Sequence, residues 1–160
     1  MAALVRYYLN KGARVAGYDR TSTDLTSDLI KEGAEITFDD NADTIPEYCR
    51  NSADTLVVYT PAIPDDNAIL TYFRQGGFDI RKRAQVLGLI THDTKGLCFS
   101  GTHGKTTTSS LAAHILHTSP IGCNAFLGGI LRNYGSNFLL SETSDYSVIE
   151  ADEFARSFHW

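Results

Sequence analysis

Short apolar runs alternate along the chain with longer stretches whose apolar residues recur at helical spacing, and glycine, proline or charged residues mark the changes of period. Ala2 to Asn10 reads as a helix ended by Lys11-Gly12. Arg14 to Asp19 is a short strand closing on an acid, and Thr21 to Glu32 is a second helix with Ser22 or Thr23 as cap and Gly33 as stop. A strand at Ala34 to Phe38, a short helix near Asp43 to Arg50 and the apolar strand Thr55 to Thr60 follow. Past the turn Thr60-Pro61-Ala62-Ile63-Pro64, the pattern predicts a helix from Asp66 to Gln75, a strand from Phe78 to Arg81 and a helix from Arg83 to Ile90. Strand and helix in strict alternation give a mainly parallel sheet with helices on its faces, an α/β fold.

The second half continues the alternation. Leu97-Cys98-Phe99 is an apolar run, and beyond a polar loop Leu111/Ile115 and Ala112/Leu116 recur at helical spacing up to Thr118-Ser119-Pro120. Cys123 to Leu127 is a candidate strand. Gly128-Gly129 is a turn that either approaches a ligand or only reverses the chain. The last strand, Tyr146 to Ile149, delivers the acids Glu150, Asp152 and Glu153.

The polar loop carries the chemistry. Gly101, Thr102, His103, Gly104, Lys105, Thr106 and Thr107 join a strand to a helix. Such a turn aims backbone N–H groups and the positive end of a helix dipole at one spot, which suits a phosphate. The Lys105 ammonium can reach outer phosphates, and the Thr106 hydroxyl can ligate the magnesium that travels with them. The general phosphate-loop pattern has glycine five positions before the second loop glycine. Phe99 stands there, so the match is to a shorter variant. A glycine-rich turn that merely joins strand to helix is the competing reading, and Lys-Thr at the helix start weighs against it. His103 either takes a catalytic role or contributes its backbone amide from a solvent-facing loop; the second fits its place better. Glu150, at the carboxyl end of a strand, is a metal ligand if that strand neighbours the loop, and part of a solvated acidic turn if it does not.

Chains of this class ordinarily open with a strand whose glycine loop holds a phosphate, and an acid about 20 residues on contacts a ribose. Asp19 fits the acid, and that spacing places the loop immediately upstream of Met1. The sequence therefore reads as starting inside its first sheet, without the strand expected near the sheet's middle. The alternative is a helix-first α/β domain.

Composition narrows the functions. A chain of 160 residues can bury a good core as one domain or two small ones. Charged residues make up 21% and the net charge is -5, which does not suit electrostatic nucleic-acid binding; Arg81-Lys82-Arg83 reads as the solvated end of a strand. Cys49, Cys98 and Cys123 lack paired metal spacing and read as buried free thiols in a reducing cytosol. His114 and His117 show no third ligand and read as packing residues. Neither a membrane span nor a signal peptide is expected.

At this point the motifs converge. G-T-H-G-K-T-T-T after an apolar strand, V-I-E-A-D-E-F-A-R-S-F further on, G-Y-D-R-T and T-P-A-I-P ahead of both, and Arg83-Ala84 with Gln85-Val86-Leu87 before the loop strand resemble the Mur ligases over essentially the whole chain. The resemblance implies a Rossmann-like parallel-sheet domain, incomplete at its N-terminus, over residues 1–94. It implies the first part of a P-loop ATPase α/β domain over residues 95–160. It also implies ATP and Mg2+ as cofactors in a cytoplasmic bacterial ligase of peptidoglycan synthesis. There ATP phosphorylates the carboxylate of UDP-N-acetylmuramate, and the amino group of L-alanine attacks the acyl phosphate. By motif, Lys105 would hold the phosphates and stabilise the charge developing in transfer, Thr106 would ligate one magnesium, and Glu150 would bind the magnesium nearer the acyl phosphate. Asp19, Thr60, Pro61, Ala62 and Ile63 would line the uridine site. Ala155 stands where the family pattern has Asp.

Three other readings compete. A related ligase would attach a recycled tripeptide to the same sugar nucleotide. A regulatory switch would hydrolyse ATP or GTP without forming an amide, leaving the first domain without a role. An NAD-dependent oxidoreductase, suggested by Asp19, needs an upstream glycine fingerprint and leaves Lys105 unexplained.

Overall fold

The structure, a computed structural model, describes residues 1–92 and 94–150. The chain divides into two compact units, Met1–Val86 and Leu87–Trp160.

In the first unit, α1 (Ala2–Asn10) packs on α2 (Asp24–Lys31). Ala2, Leu29 and Ala34 are buried together, with Val5, Leu9, Leu25 and Ile36 against them. Val5 and Leu9 lie one helical turn apart, as the periodicity requires. Beside this cluster the buried Arg6 donates two hydrogen bonds to the carboxylate of Glu32, at 2.8 and 2.7 Å. Thr23 caps α2: its hydroxyl accepts from the Thr26 N–H at 3.2 Å, and the Thr23 N–H donates back to the Thr26 hydroxyl at 2.9 Å. This is a capping box with threonine in place of the usual Glu or Gln, and such caps stabilise a helix by about 1 kcal/mol.

Two parallel pairs make up the strands of this unit. β1 (Ala16–Tyr18) pairs with β2 (Glu35–Thr37), and β3 (Leu56–Tyr59) pairs with β4 (Asp79–Lys82). α3 (Ala68–Gln75) completes the alternation of this unit, and α4 (Arg83–His92) crosses the boundary at Val86. The short helix expected near Asp43 to Arg50 is instead two 3-10 turns, Ala42–Thr44 and Glu47–Cys49. Pro46 stands between them and cannot donate the N–H that a continuous helix would need there. Arg50 ties the turns together by donating to the carbonyls of Ala42 and Ile45.

The second unit is a four-stranded sheet in the order β5-β8-β6-β7, with β5 (Lys95–Phe99), β6 (Asn124–Leu131), β7 (Ser136–Leu139) and β8 (Tyr146–Glu150). β5 and β6 run parallel to the central β8, while β6 and β7 form an antiparallel hairpin that the sequence pattern does not predict. α5 (Lys105–Thr118) packs against this sheet. Its inward face carries the fully buried Ser109 and Ala113, and Ala112 and Leu116 pack on the core formed by Cys123, Ala125, Leu127 and Val148. Leu111 and Ile115, which share a helical stripe, are instead 58% and 64% exposed. Small residues let the helix approach the sheet closely, so the inward stripe is the less apolar one. Cys98, expected to be buried, is exposed on β5, whereas Cys123 is buried and Cys49 half-buried; all three are free thiols.

Among the described residues, no helix is long and apolar enough to cross a membrane.

Candidate functional site: a phosphate loop with a carboxylate, and a separate cleft

In the second unit, register brings the loop and the acid together. β5 and β8 are parallel with Phe99 opposite Glu150, so both strands end at the same level. The loop leaves β5 at Ser100, beside the end of β8. Ser147, Val148 and Ile149 are buried in the sheet centre, and Glu150 emerges from them half-buried. A strand flanked by parallel neighbours reads as such an apolar run, and its first polar residue marks the carboxyl edge where ligands bind.

Gly101 and Gly104 hold φ of 147° and 77°, the left-handed region that side chains avoid. Gly104 is the N-cap of α5 and supplies no side-chain hydrogen bond. The first-turn N–H groups of α5 are therefore left without a side-chain cap, as an anion-binding helix start requires. Lys105 folds back over the loop and donates from Nζ to the Gly101 carbonyl at 2.6 Å. Thr102, His103 and Thr107 are exposed around it.

Thr106, in the first turn of α5, donates from Oγ1 to Glu150 Oε1 at 2.8 Å. The second carboxylate oxygen, Oε2, accepts from the Gly128 N–H at 2.8 Å. Gly128 and Gly129 are thus not a turn but part of β6, and one of them contacts the acid directly. Sequence reasoning placed no site role firmly on them; the signal was the glycine pair itself, which marks close approach as readily as reversal. Asp152, Glu153 and the Ala155 departure lie outside the described residues.

The remaining histidines of α5 have packing partners: His114 Nδ1 lies 2.7 Å from the Tyr134 hydroxyl, and the His117 ring meets Tyr134 edge-on at 5.1 Å. Among the described residues, no three His, Cys, Asp or Glu side chains cluster as a metal site. Among the described residues, an ion at the loop would find the Thr106 hydroxyl and the Glu150 carboxylate. That donor set is hard and oxygen-only, which fits magnesium.

The first unit holds a separate cleft of about 1270 Å³. Strands β1 and β3 both line it along their lengths, and their carboxyl ends deliver Asp19 and Thr60. Ala62 and Ile63 also line it, in a turn closed by the Ile63 N–H donating to the Thr60 carbonyl at 3.2 Å; Pro61, in the same turn, is not among the lining residues. Asp19 Oδ1 accepts from the Thr21 N–H at 3.1 Å, which fixes the chain after β1. Sequence reasoning missed several polar residues of the lining, Asn67 and Asp40 among them. Asn67, buried, caps α3 by accepting from the Leu70 N–H at 2.9 Å, and Asp40 accepts from the Ala68 and Ile69 N–H groups at the same helix start. Cys49 also lines the cleft, and burial pushes its thiol above the ordinary range.

Residues 1–95 match the family model described as Mur ligase family, catalytic domain. The loop at Gly101 to Thr107 lies just beyond that match. Over its whole length the chain is 62% identical to the UDP-N-acetylmuramate–L-alanine ligase of Phocaeicola vulgatus and 62% identical to that of Parabacteroides distasonis. It spans 35% of the length of each. Among solved structures, the UDP-N-acetylmuramate-alanine ligase of Thermotoga maritima superposes with a TM-score of 0.82 at 29% identity, over 95% of this chain and 34% of that one. The UDP-N-acetylmuramate:L-alanyl-gamma-D-glutamyl-meso-diaminopimelate ligase of Neisseria meningitidis gives 0.85 at 24% identity, over 96% and 49%, a likeness of fold.

Proposed function

The chain belongs to the Mur ligase family, and on that footing we propose that it supplies two sites of an ATP-dependent ligase joining L-alanine to UDP-N-acetylmuramate. The observation that carries the reading is the Thr106–Glu150 contact of 2.8 Å at the mouth of the loop, in a chain 62% identical to ligases of that name.

The loop from Gly101 to Thr107 would hold the phosphates of ATP, with backbone N–H groups and the Lys105 ammonium facing them. Thr106 and Glu150 would hold Mg2+, and the lack of a side chain at Gly128 leaves room for the Glu150 carboxylate beside it. When bound, ATP and magnesium supply the phosphoryl group and neutralise charge on its oxygens. Lys105 donates hydrogen bonds to oxygens that gain negative charge during transfer, so it stabilises the transition state more than the ground state. The cleft beside Asp19, Thr60, Ala62 and Ile63 would take the uridine end of the sugar nucleotide, with Asp19 accepting a hydroxyl hydrogen bond from the ribose.

In the reaction, an oxygen of the sugar-nucleotide carboxylate takes the phosphoryl group and ADP leaves. The L-alanine nitrogen then bonds to the acyl carbon, phosphate departs and the nitrogen loses a proton.

The test is phosphate release by the full-length ligase carrying this sequence, given UDP-N-acetylmuramate, ATP and magnesium. L-alanine is expected to raise the rate. No rise with L-alanine would overturn the assignment, and a tripeptide that outcompetes it would move the protein to the peptide-adding branch.

A further inference from the structure

Glu150 is held at both oxygens. One accepts from the Thr106 hydroxyl on α5, and the other accepts from the Gly128 N–H on β6. β6 pairs with β8 only as far as Phe126 opposite Ile149, and the β6–β7 register shifts between Phe126 and Leu131. Beyond Phe126 the β6 main chain is therefore released from regular pairing with β8, and Gly128 turns its N–H to a side chain instead of a strand.

A methyl group at position 128 would lie 2.5 Å from Glu150 Oε2, 3.0 Å from Cδ and 3.2 Å from Oε1. At position 129 a methyl would lie 2.9 Å from Thr106 Cγ2. Neither glycine holds a left-handed backbone, so alanine fits the main chain at both. The atoms that would have to yield at 128 all belong to the Glu150 carboxylate, the far end of a flexible side chain. The fold can keep its shape while the carboxylate moves.

We infer that Gly128 is a positioning residue for this site. Its missing side chain reserves the seat of the Glu150 carboxylate, and its N–H orients that carboxylate toward Thr106. Gly129 keeps the Thr106 side chain in register with it. The inference rests on the reading of Thr106 and Glu150 as the magnesium-holding pair.

The experiment measures affinity for a non-hydrolysable ATP analogue with and without magnesium, in the full-length ligase and its Gly128→Ala variant, beside the thermal midpoint. The expected result is a loss of roughly ten- to a hundredfold in the magnesium-dependent affinity, the scale of one charge-assisted hydrogen bond. Magnesium-free affinity and Tm stay near wild type. Glu150→Asp, which draws the carboxylate back by one methylene, is expected to make Gly128→Ala far less costly than it is alone, a non-additive cycle. Should Gly128→Ala fail to fold alone, Gly128→Ala in the Glu150→Asp background carries the magnesium comparison, and Gly129→Ala tests the Thr106 contact. Unchanged magnesium dependence in the variants, an equal loss with and without magnesium, or strict additivity with Glu150→Asp would overturn the inference. A wild-type protein whose analogue affinity ignores magnesium would instead overturn the assignment of the pair.

Discussion

The Thr106 hydroxyl and the Glu150 carboxylate meet at 2.8 Å although 44 residues separate them. Parallel pairing of β5 with β8 makes the contact possible, because Phe99 and Glu150 end their strands side by side. The loop then needs only a short span to bring the first turn of α5 over the acid.

If that hydroxyl bridges α5 to the metal-holding acid, its chemistry matters more than its methyl. Thr106→Ala is expected to weaken magnesium-dependent ATP binding about tenfold, while Thr106→Ser, which keeps the hydroxyl, stays close to wild type. Equal losses in both variants, measured by titration calorimetry, would show that packing and not the hydroxyl governs the site.

The two sites are assigned to different ligands, so they should separate under mutation. Asp19→Ala removes a carboxylate that lines the cleft of the first unit and is expected to weaken uridine-nucleotide binding by roughly ten- to a hundredfold. ATP affinity should be unaffected. Unchanged uridine-nucleotide affinity would remove Asp19 from that site.

Stability of the first unit rests partly on Arg6, which is 8% exposed. Its hydrogen bonds to Glu32 raise its pKa further and hold a buried charge in place. Glu32→Ala is expected to lower unfolding free energy by about 1.5–3 kcal/mol, the range for hydrogen bonds to charged groups. Glu32→Gln, which retains one acceptor oxygen, should cost less. Urea unfolding curves decide it, and identical midpoints for wild type and Glu32→Ala would contradict the role.

Burial pushes the Cys123 thiol from 9.0 up to about 11. Below pH 9 the thiol is neutral whether the chain is folded or unfolded, and its contribution is fully present. Between pH 9 and pH 11 only the unfolded thiol ionises, so that contribution is lost as pH rises toward 11, where the folded thiol also ionises. The loss is on the order of 2–3 kcal/mol, since a tenfold change in an ionisation equilibrium is worth about 1.4 kcal/mol. Urea midpoints should therefore fall further between pH 8 and pH 11 for wild type than for Cys123→Ala. Parallel falls would contradict the assignment of the alkaline loss to this thiol.

Most of the alternation and the strand, glycine loop and helix around Gly101 to Thr107 were legible in the sequence, because periodicity and the G-T-H-G-K-T spacing depend on neighbouring residues. What escaped depends on distant ones. Leu111 and Ile115 form the more apolar stripe of α5, yet Ser109 and Ala113 face the core, since close approach to a sheet favours small side chains. Gly128-Gly129 looked like a turn because nothing local reveals that Glu150 will occupy the space a side chain would fill. Strand β7 is four residues long, too short for a period-two pattern to stand out; the left-handed Gly135 before it was the available signal. Pro46 was visible and, with the β-branched Thr44 and Ile45 before it, was the available signal against a continuous Asp43 to Arg50 helix.

Gly101 to Thr107 is proposed to cradle the phosphates of ATP, with Lys105 as the principal charged donor. Equilibrium ATP affinity of the full-length ligase and its Lys105→Ala variant, both with magnesium, tests it most directly. Loss of one charge-assisted hydrogen bond of about 1.5–3 kcal/mol predicts affinity roughly ten- to a hundredfold weaker in the variant. The same affinity in both proteins would contradict the account.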